Sequence, residues 1–257
     1  MVKIDGKVQI IPGFHAVGEA LRREIPQIHQ IWASRERRGP RMEEILGLAR
    51  DRGVPVLLKN ARELDIVLPD IPHQGIIALA GRFAYFNLRE IIRKSRNDAY
   101  GMIIVADHIT DEGNLGALVR SAAFFGAHGL ILPKDRSARI TDRVLKRSSG
   151  ACAHLPVAVE VNLGRALDAL DKEGFWIVGA AGEGAETIYA FDWCRDLVLV
   201  LGSEDRGLSR ATRDRCHALV RIPRLGKVES LNVSVACGVF LSEIGRQRRS
   251  PQSPGGP

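Results

Sequence analysis

Cysteine is scarce in this chain of 257 residues: Cys152, Cys194, Cys216 and Cys237 are the four present, without a C-x-x-C pair or a histidine at ligand spacing. That argues against a disulfide scaffold and predicts no metal site. Long apolar runs are lacking as well. Stretches such as 102–106 and 197–201 fall far below the roughly 18 residues of a membrane span, and no charged start followed by an apolar stretch opens the chain. The expectation is a cytoplasmic protein with no membrane partner. Collagen-like and heptad repeats are missing too, and 45% hydrophobic with 26% charged residues exclude a disordered chain.

What is present begins with charge. Thirty-seven Lys and Arg against 30 Asp and Glu leave +7, of which +5 lies in residues 1–98. A basic balance favours a polyanionic partner, although a solvated basic surface needs none. A second concentration, Lys134, Arg136, Arg139, Arg143, Lys146 and Arg147, is answered only by Asp135 and Asp142 and is the better candidate for a phosphate-contacting patch.

Short apolar runs alternate with amphipathic helical patterns, which predicts an α/β fold on parallel sheets. The first part reads as a small α/β unit, with helices over 16–23 and 41–50 and strands over 28–33, 54–58 and 75–80. The polar stretch 89–98 reads as a linker or the end of a connecting helix, so the expected domains are 1–88 and 99–246. In the second, strands fit 102–107, 130–132, 156–161, 176–180, 197–201 and 218–222, with helices over 115–125 and 233–246. Residues 247–257 contain only Gln, Arg, Ser, Pro and Gly and are expected to be a disordered tail.

Three loops at predicted strand ends carry polar groups, where α/β proteins place ligand-binding residues. The first runs Asp107-His108-Ile109-Thr110-Asp111-Glu112-Gly113-Asn114 into a helix, with Asn114 positioned as a cap and Arg120 inside a small, apolar helical stretch. An unpaired guanidinium is costly to bury, so Arg120 is read as functional. The second is Gly202-Ser203-Glu204-Asp205-Arg206-Gly207. The third is Ile222-Pro223 followed by Ser230-Leu231-Asn232-Val233-Ser234, where Ser230 and Asn232 are candidate caps of the last helix. Gly179 to Gly184 is a fourth glycine-rich strand end, read as a turn that could also wall a ligand. No GxGxxG follows the first strand of either part, which disfavours a nucleotide-dependent oxidoreductase.

At these residues the sequence resembles the SpoU/TrmH branch of the SPOUT methyltransferases, which move a methyl group from S-adenosyl-L-methionine to a ribose 2′-hydroxyl of RNA. The resemblance rests on Asn114-Leu115-Gly116 with Arg120, Gly202-Ser203-Glu204 with Gly207, and Ile222-Pro223 with Ser230 to Ser234. Gly13-Phe14-His15-Ala16-Val17 and His73-Gln74-Gly75 extend it to the small substrate-binding domain that precedes the catalytic one in many members. One departure is Asp111-Glu112-Gly113, where many members carry Asp-Pro before the motif Asn. The resemblance implies a parallel-sheet SPOUT domain with a deep trefoil knot, a homodimer, and no metal. It further implies a cofactor resting on the Gly202, Ile222 and Leu231 loops, with Asn114, Arg120, Glu204, Ser230 and Asn232 as the catalytic set. Arg120 matches the residue often assigned as base. Deprotonating a guanidinium at pH 7 costs on the order of 8 kcal/mol, so holding a phosphate is the preferred role. The two-domain layout is most similar to enzymes acting on a guanosine of large-subunit ribosomal RNA, with a transfer-RNA ribose methyltransferase, or a non-catalytic RNA-binding protein on the same fold, as the alternatives.

Overall fold

The computed structural model describes residues 8–23 and 26–249, which divide into two compact units. The first comprises the chain up to Ala84 together with Arg139–His154. Its elements are β1 (Val8–Pro12), α1 (Phe14–Arg23), β2 (Ile28–Ser34), α2 (Pro40–Asp51), β3 (Val56–Lys59), α3 (Ala61–Val67) and β4 (Ile76–Gly81). The sheet order is β1-β4-β2-β3, and only the β2–β3 pair is parallel. The expected all-parallel character therefore does not extend to this unit. β4 sits between two antiparallel neighbours and reads IIALAG, apolar on both faces as a central strand must be. Ile10, Trp32, Leu64, Leu68 and Ile77 build the core on one side of this sheet. A capping box, in which Asn60 and Glu63 each bond the other's backbone N–H, starts α3.

The second unit holds Tyr85–Ala138 and the chain from Leu155 onward. It begins with α4 (Leu88–Ser95), then β5 (Met102–Asp107), α5 (Glu112–Phe124) and β6 (Gly129–Pro133). α6 (Asp142–Arg147) belongs to the first unit, where it packs on β1 and Asp142 accepts a 3.1 Å bond from the Ile10 N–H. The second unit resumes with β7 (Val157–Glu160), α7 (Leu163–Lys172), β8 (Trp176–Ala180), β9 (Glu186–Thr187), β10 (Leu197–Gly202), α8 (Arg210–Arg213), β11 (Ala218–Arg221) and α9 (Val233–Arg249). Seven parallel strands follow the order β7-β6-β5-β10-β8-β11-β9. β5 and β10 lie near the centre, and their continuous apolar runs reflect burial on both faces.

Three boundaries differ from the sequence reading. Of the two readings of residues 89–98 the structure has the helix and not the linker: most of them form α4, opened by an Asn87–Glu90 capping box and anchored by the fully buried Ile91. Ile91 lies so close to β6 that a Cβ at Gly129 would sit 2.5 Å from its Cγ2, so this helix is part of the second unit's core. The division falls instead between Ala84 and Tyr85. The last helix continues past Arg246, because Gln247 bonds Phe191 O at 3.1 Å and receives the Trp193 N–H at 3.1 Å. Arg248 in turn donates to the carbonyls of Tyr100, Gly101, Trp193 and Arg195. The predicted disorder of 250–257 lies outside the described residues.

Candidate active site

β5 and β10 are register neighbours, with Gly202 opposite Asp107, so the loops leaving their carboxyl ends start side by side. Asp107 is fully buried and accepts the Ser209 N–H at 2.7 Å, tying the end of β5 to the loop that follows β10. In the first loop Asp111, not Asn114, caps α5: its carboxylate receives the Asn114 N–H at 2.6 Å. Asn114 sits one turn inside the helix with its side chain directed elsewhere. Its Nδ2 donates to Glu204 at 3.0 Å, and its Oδ1 accepts from Asn232 Nδ2 at 2.8 Å.

Asn232 completes a three-residue hub. Its Nδ2 also donates to Glu204 at 2.6 Å, while its Oδ1 takes the Ser234 N–H at 2.9 Å and so caps α9. The Val233 N–H adds a longer 3.4 Å contact to the same Glu204 oxygen. A single carboxylate oxygen thus gathers donors from chain segments 90 and 28 residues away. Such a hub fixes the loops by charge-assisted bonds, the stronger class of hydrogen bond.

Beside the hub lies a cavity of about 590 Å³, within the range of small-molecule sites. Gly202, Glu204, Ile222, Ser230 and Leu231 all line it, and its apolar floor includes Leu201, Leu208, Val220 and Phe240. Gly202 is required there, since a Cβ would overlap the Gly207 carbonyl and the Leu208 nitrogen. Ser203 and Gly207 close that turn through a reciprocal pair of backbone bonds at 3.0 and 2.8 Å.

Glu183, Arg206 and Arg213 also face the cavity and were not among the sequence candidates. Glu183 pairs with Arg213. Its carboxyl is held below the ordinary range by a backbone N–H first, and by Arg213 with it, against the opposing effect of burial. The Gly179–Gly184 segment is therefore a wall of the cavity as well as a turn. Its glycines were the available signal, but the position of β8 next to β10, which brings it there, is not written in any local pattern.

Arg120 leaves α5 in a different direction from Asn114. Six residues beyond Asn114 is about 120° around a helix, and Arg120 is exposed on the surface of its unit. The argument that it is buried in an apolar helix is thus corrected: the small residues of α5 face inward and Arg120 does not. The basic concentration divides as well. Lys134 and Arg136 are exposed in the second unit, whereas Arg139, Arg143, Lys146 and Arg147 belong to the first. No cluster of metal-ligating side chains occurs, and no helix is long and apolar enough to cross a membrane, among the described residues.

Comparison with known proteins gives the same architecture. The 23S rRNA (guanosine-2′-O-)-methyltransferase RlmB of Pseudomonas putida is 40% identical over 246 residues, covering 95% of this chain and 98% of the relative. Its counterpart in Coxiella burnetii is 39% identical, covering 95% and 98%. The crystal structure of the SpoU methyltransferase AviRb from Streptomyces viridochromogenes aligns with a TM-score of 0.79 at 25% identity, over 94% of this chain and 90% of that one. Residues 10–86 match the RNA 2′-O ribose methyltransferase substrate binding family. Residues 101–242 match the SpoU rRNA Methylase family, and the chain belongs to it.

Proposed function

We propose that the protein transfers a methyl group from S-adenosyl-L-methionine to the 2′-hydroxyl of a guanosine in large-subunit ribosomal RNA, acting in the cytoplasm. The observation that carries this reading is the Asn114–Glu204–Asn232 hub at the edge of the Gly202 cavity, in a chain so similar to named 23S rRNA guanosine methyltransferases. Gly202, Ile222 and Leu231 would hold the cofactor against loop backbone, and the cavity has the volume and the apolar floor for an adenosyl group. When bound, the sulfonium supplies an activated methyl group whose departure leaves a neutral thioether.

The chain's own task is placement and the proton. Orienting two reactants in line is worth roughly 7–11 kcal/mol, so rigid loops matter more than any single acid or base. Glu204, locked by two amides, and Ser230 line the side of the cavity where the ribose would enter. Arg120 holds the phosphate next to the reacting ribose through its planar fork, and that phosphate takes up the hydroxyl proton.

Arg120 leaves α5 about 120° around the helix from Asn114, which favours reading its role across a dimer. A homodimer pairing the α5–α9 surfaces would supply the partner's Arg120. Phe124 at 80% exposure and Val235 at 50% give that surface apolar area, whereas most of the apolar face of α9 is spent within the chain. We further propose that the C-terminal part of the sheet is threaded as a trefoil knot. Lys134, Arg136, Arg139, Arg143, Lys146 and Arg147 would contact RNA phosphates.

The test is methyl transfer to large-subunit ribosomal RNA and to transfer RNA, with the modified ribose located by mass spectrometry. Product confined to transfer RNA, or none at all, would overturn the substrate assignment. Mixing inactive Arg120→Ala with inactive Asn114→Ala chains should restore up to about one quarter of wild-type activity through mixed dimers. No recovery in demonstrably mixed dimers would overturn the contribution in trans.

A further inference from the structure

Two short motifs of the N-terminal unit converge with a lysine from far along the chain. Gly13 has φ 88, and a Cβ there would collide with Lys146 Nζ and lie 2.8 Å from Gln74 Oε1. Lys146 is half-buried, and no carboxylate pairs with it among the described residues. Burial holds its ammonium below the ordinary lysine value. A cation withdrawn from water without a counter-charge is unfavourable until an anion joins it.

Gln74 is strained, at φ 59, a conformation that non-glycine residues adopt at a cost and that clusters at ligand sites. Its neighbour His73, only 9% exposed, holds the turn: Nδ1 accepts the Gly75 N–H at 3.0 Å and Nε2 donates to Asp65 at 2.8 Å. Gln74 also lines a second cavity of about 590 Å³, walled by Leu68, Pro69, Ile71 and Pro72. Four charged groups also line it: Asp65 is taken by His73 and Glu36 accepts from the Ser34 hydroxyl, whereas Asp70 and Arg37 have no ion-pair partner among the described residues. One offers acceptors and the other donors, across an apolar floor.

We propose that this cavity binds the base of one unpaired guanosine in the RNA substrate, with Asp70 facing its N1–H and N2–H donors, Arg37 facing O6 and N7, and Lys146 taking an adjacent phosphate. Guanine is the base that presents two neighbouring donors on one edge and two neighbouring acceptors on another, and arginine to O6 and N7 is its commonest specific contact. Recognition of splayed single-stranded bases is the usual means of sequence readout in RNA. The proposal rests on the RNA-modifying reading above.

The experiment uses the full chain and a fluorescent 12-nucleotide oligouridine carrying one central guanosine, inosine or adenosine, with anisotropy read over a range of salt. Guanosine should bind about tenfold more tightly than adenosine, with inosine, which lacks the N2 amino group, weaker than guanosine. Asp70→Asn and Arg37→Gln, both at exposed positions, should bring the guanosine-to-adenosine ratio near one. Lys146→Gln should weaken all three RNAs equally and reduce the salt slope by about 0.7, one single-strand phosphate contact. A ratio near one in the wild type, or an unchanged ratio in Asp70→Asn, would overturn the base pocket. An unchanged slope in Lys146→Gln would overturn the phosphate contact. Methyl transfer to ribosomal RNA, measured on the same preparation, separates these failures from failure of the enzymatic reading.

Discussion

Replacing Asn232 separates the two duties its side chain performs. Its oxygen caps α9 through the Ser234 N–H, and its amide nitrogen bonds Glu204 and Asn114. Asn232→Ala removes both. Loss of the cap costs roughly 0.5–2 kcal/mol, and loss of a bond to an exposed carboxylate adds about 1 kcal/mol. A total near 2 kcal/mol lowers the melting temperature by about 4–8 °C for a unit of this size. Asn232→Ser keeps a capping oxygen but is too short to reach Glu204. It should recover about half of that stability and none of the hub. Methyl transfer should fall on the order of 100-fold in both variants, because ångström-scale misplacement near the reacting atoms costs about that much. The assay is single-turnover methyl transfer to ribosomal RNA alongside thermal melts and cofactor titration. Full turnover in Asn232→Ser would refute the positioning role of the hub, and a serine variant as unstable as the alanine one would refute the cap.

Three other outcomes follow from the geometry. Gly202→Ala forces a methyl group into the Gly207 carbonyl and should cost about 1–3 kcal/mol while weakening S-adenosylmethionine binding at least tenfold by calorimetry. Arg248→Ala leaves the carbonyls of Tyr100, Gly101, Trp193 and Arg195 without its donors and should destabilise the catalytic unit by about 1–3 kcal/mol in urea unfolding, with little change in cofactor affinity once folded. Arg246 forms two bonds of 2.8 and 2.7 Å to Glu243, and this, ahead of the opposing effect of burial and with Gln247 assisting, lowers the Glu243 carboxyl. A carboxyl depressed in the folded state contributes stability above its unfolded value and loses it as pH falls through the folded one. Melting temperatures taken from pH 7 down to pH 3 should therefore fall less steeply in Glu243→Gln than in the wild type; parallel curves would count against the pairing.

The sequence discloses most where local pattern and burial coincide. The runs at 102–107 and 197–201 read as buried strands because central parallel strands are apolar throughout. The small residues of α5 also announce burial, but they misled about Arg120, since an apolar composition does not say which turn of the helix faces water. Residues 89–98 leave linker and helix end both open to the sequence, because only Ile91 and its neighbours face the core while Arg89, Arg93 and Lys94 lie outside. β1 escaped because VQIIP is short and ends in proline. That Arg139–His154 leaves the catalytic unit to pack against β1 and α1 is a long-range choice with no local signature.

The site follows the same logic one level up. Asn114, Glu204 and Asn232 share no local motif, yet each follows the carboxyl end of a parallel strand, β5, β10 or β11. β5 and β10 are adjacent, with only β8 between β10 and β11, and neighbouring strands lie about 4.8 Å apart, within side-chain reach at the sheet's edge. The two apolar runs pair residue for residue from Met102 and Leu197 up to Asp107 and Gly202, and the buried Asp107 takes the Ser209 N–H beyond β10. The spacing of the polar hub is therefore imposed by the packing of the apolar runs beneath it. Replacing Asn232 leaves that framework standing, so the expected loss of turnover in Asn232→Ser reports on the hub and not on the sheet that carries it.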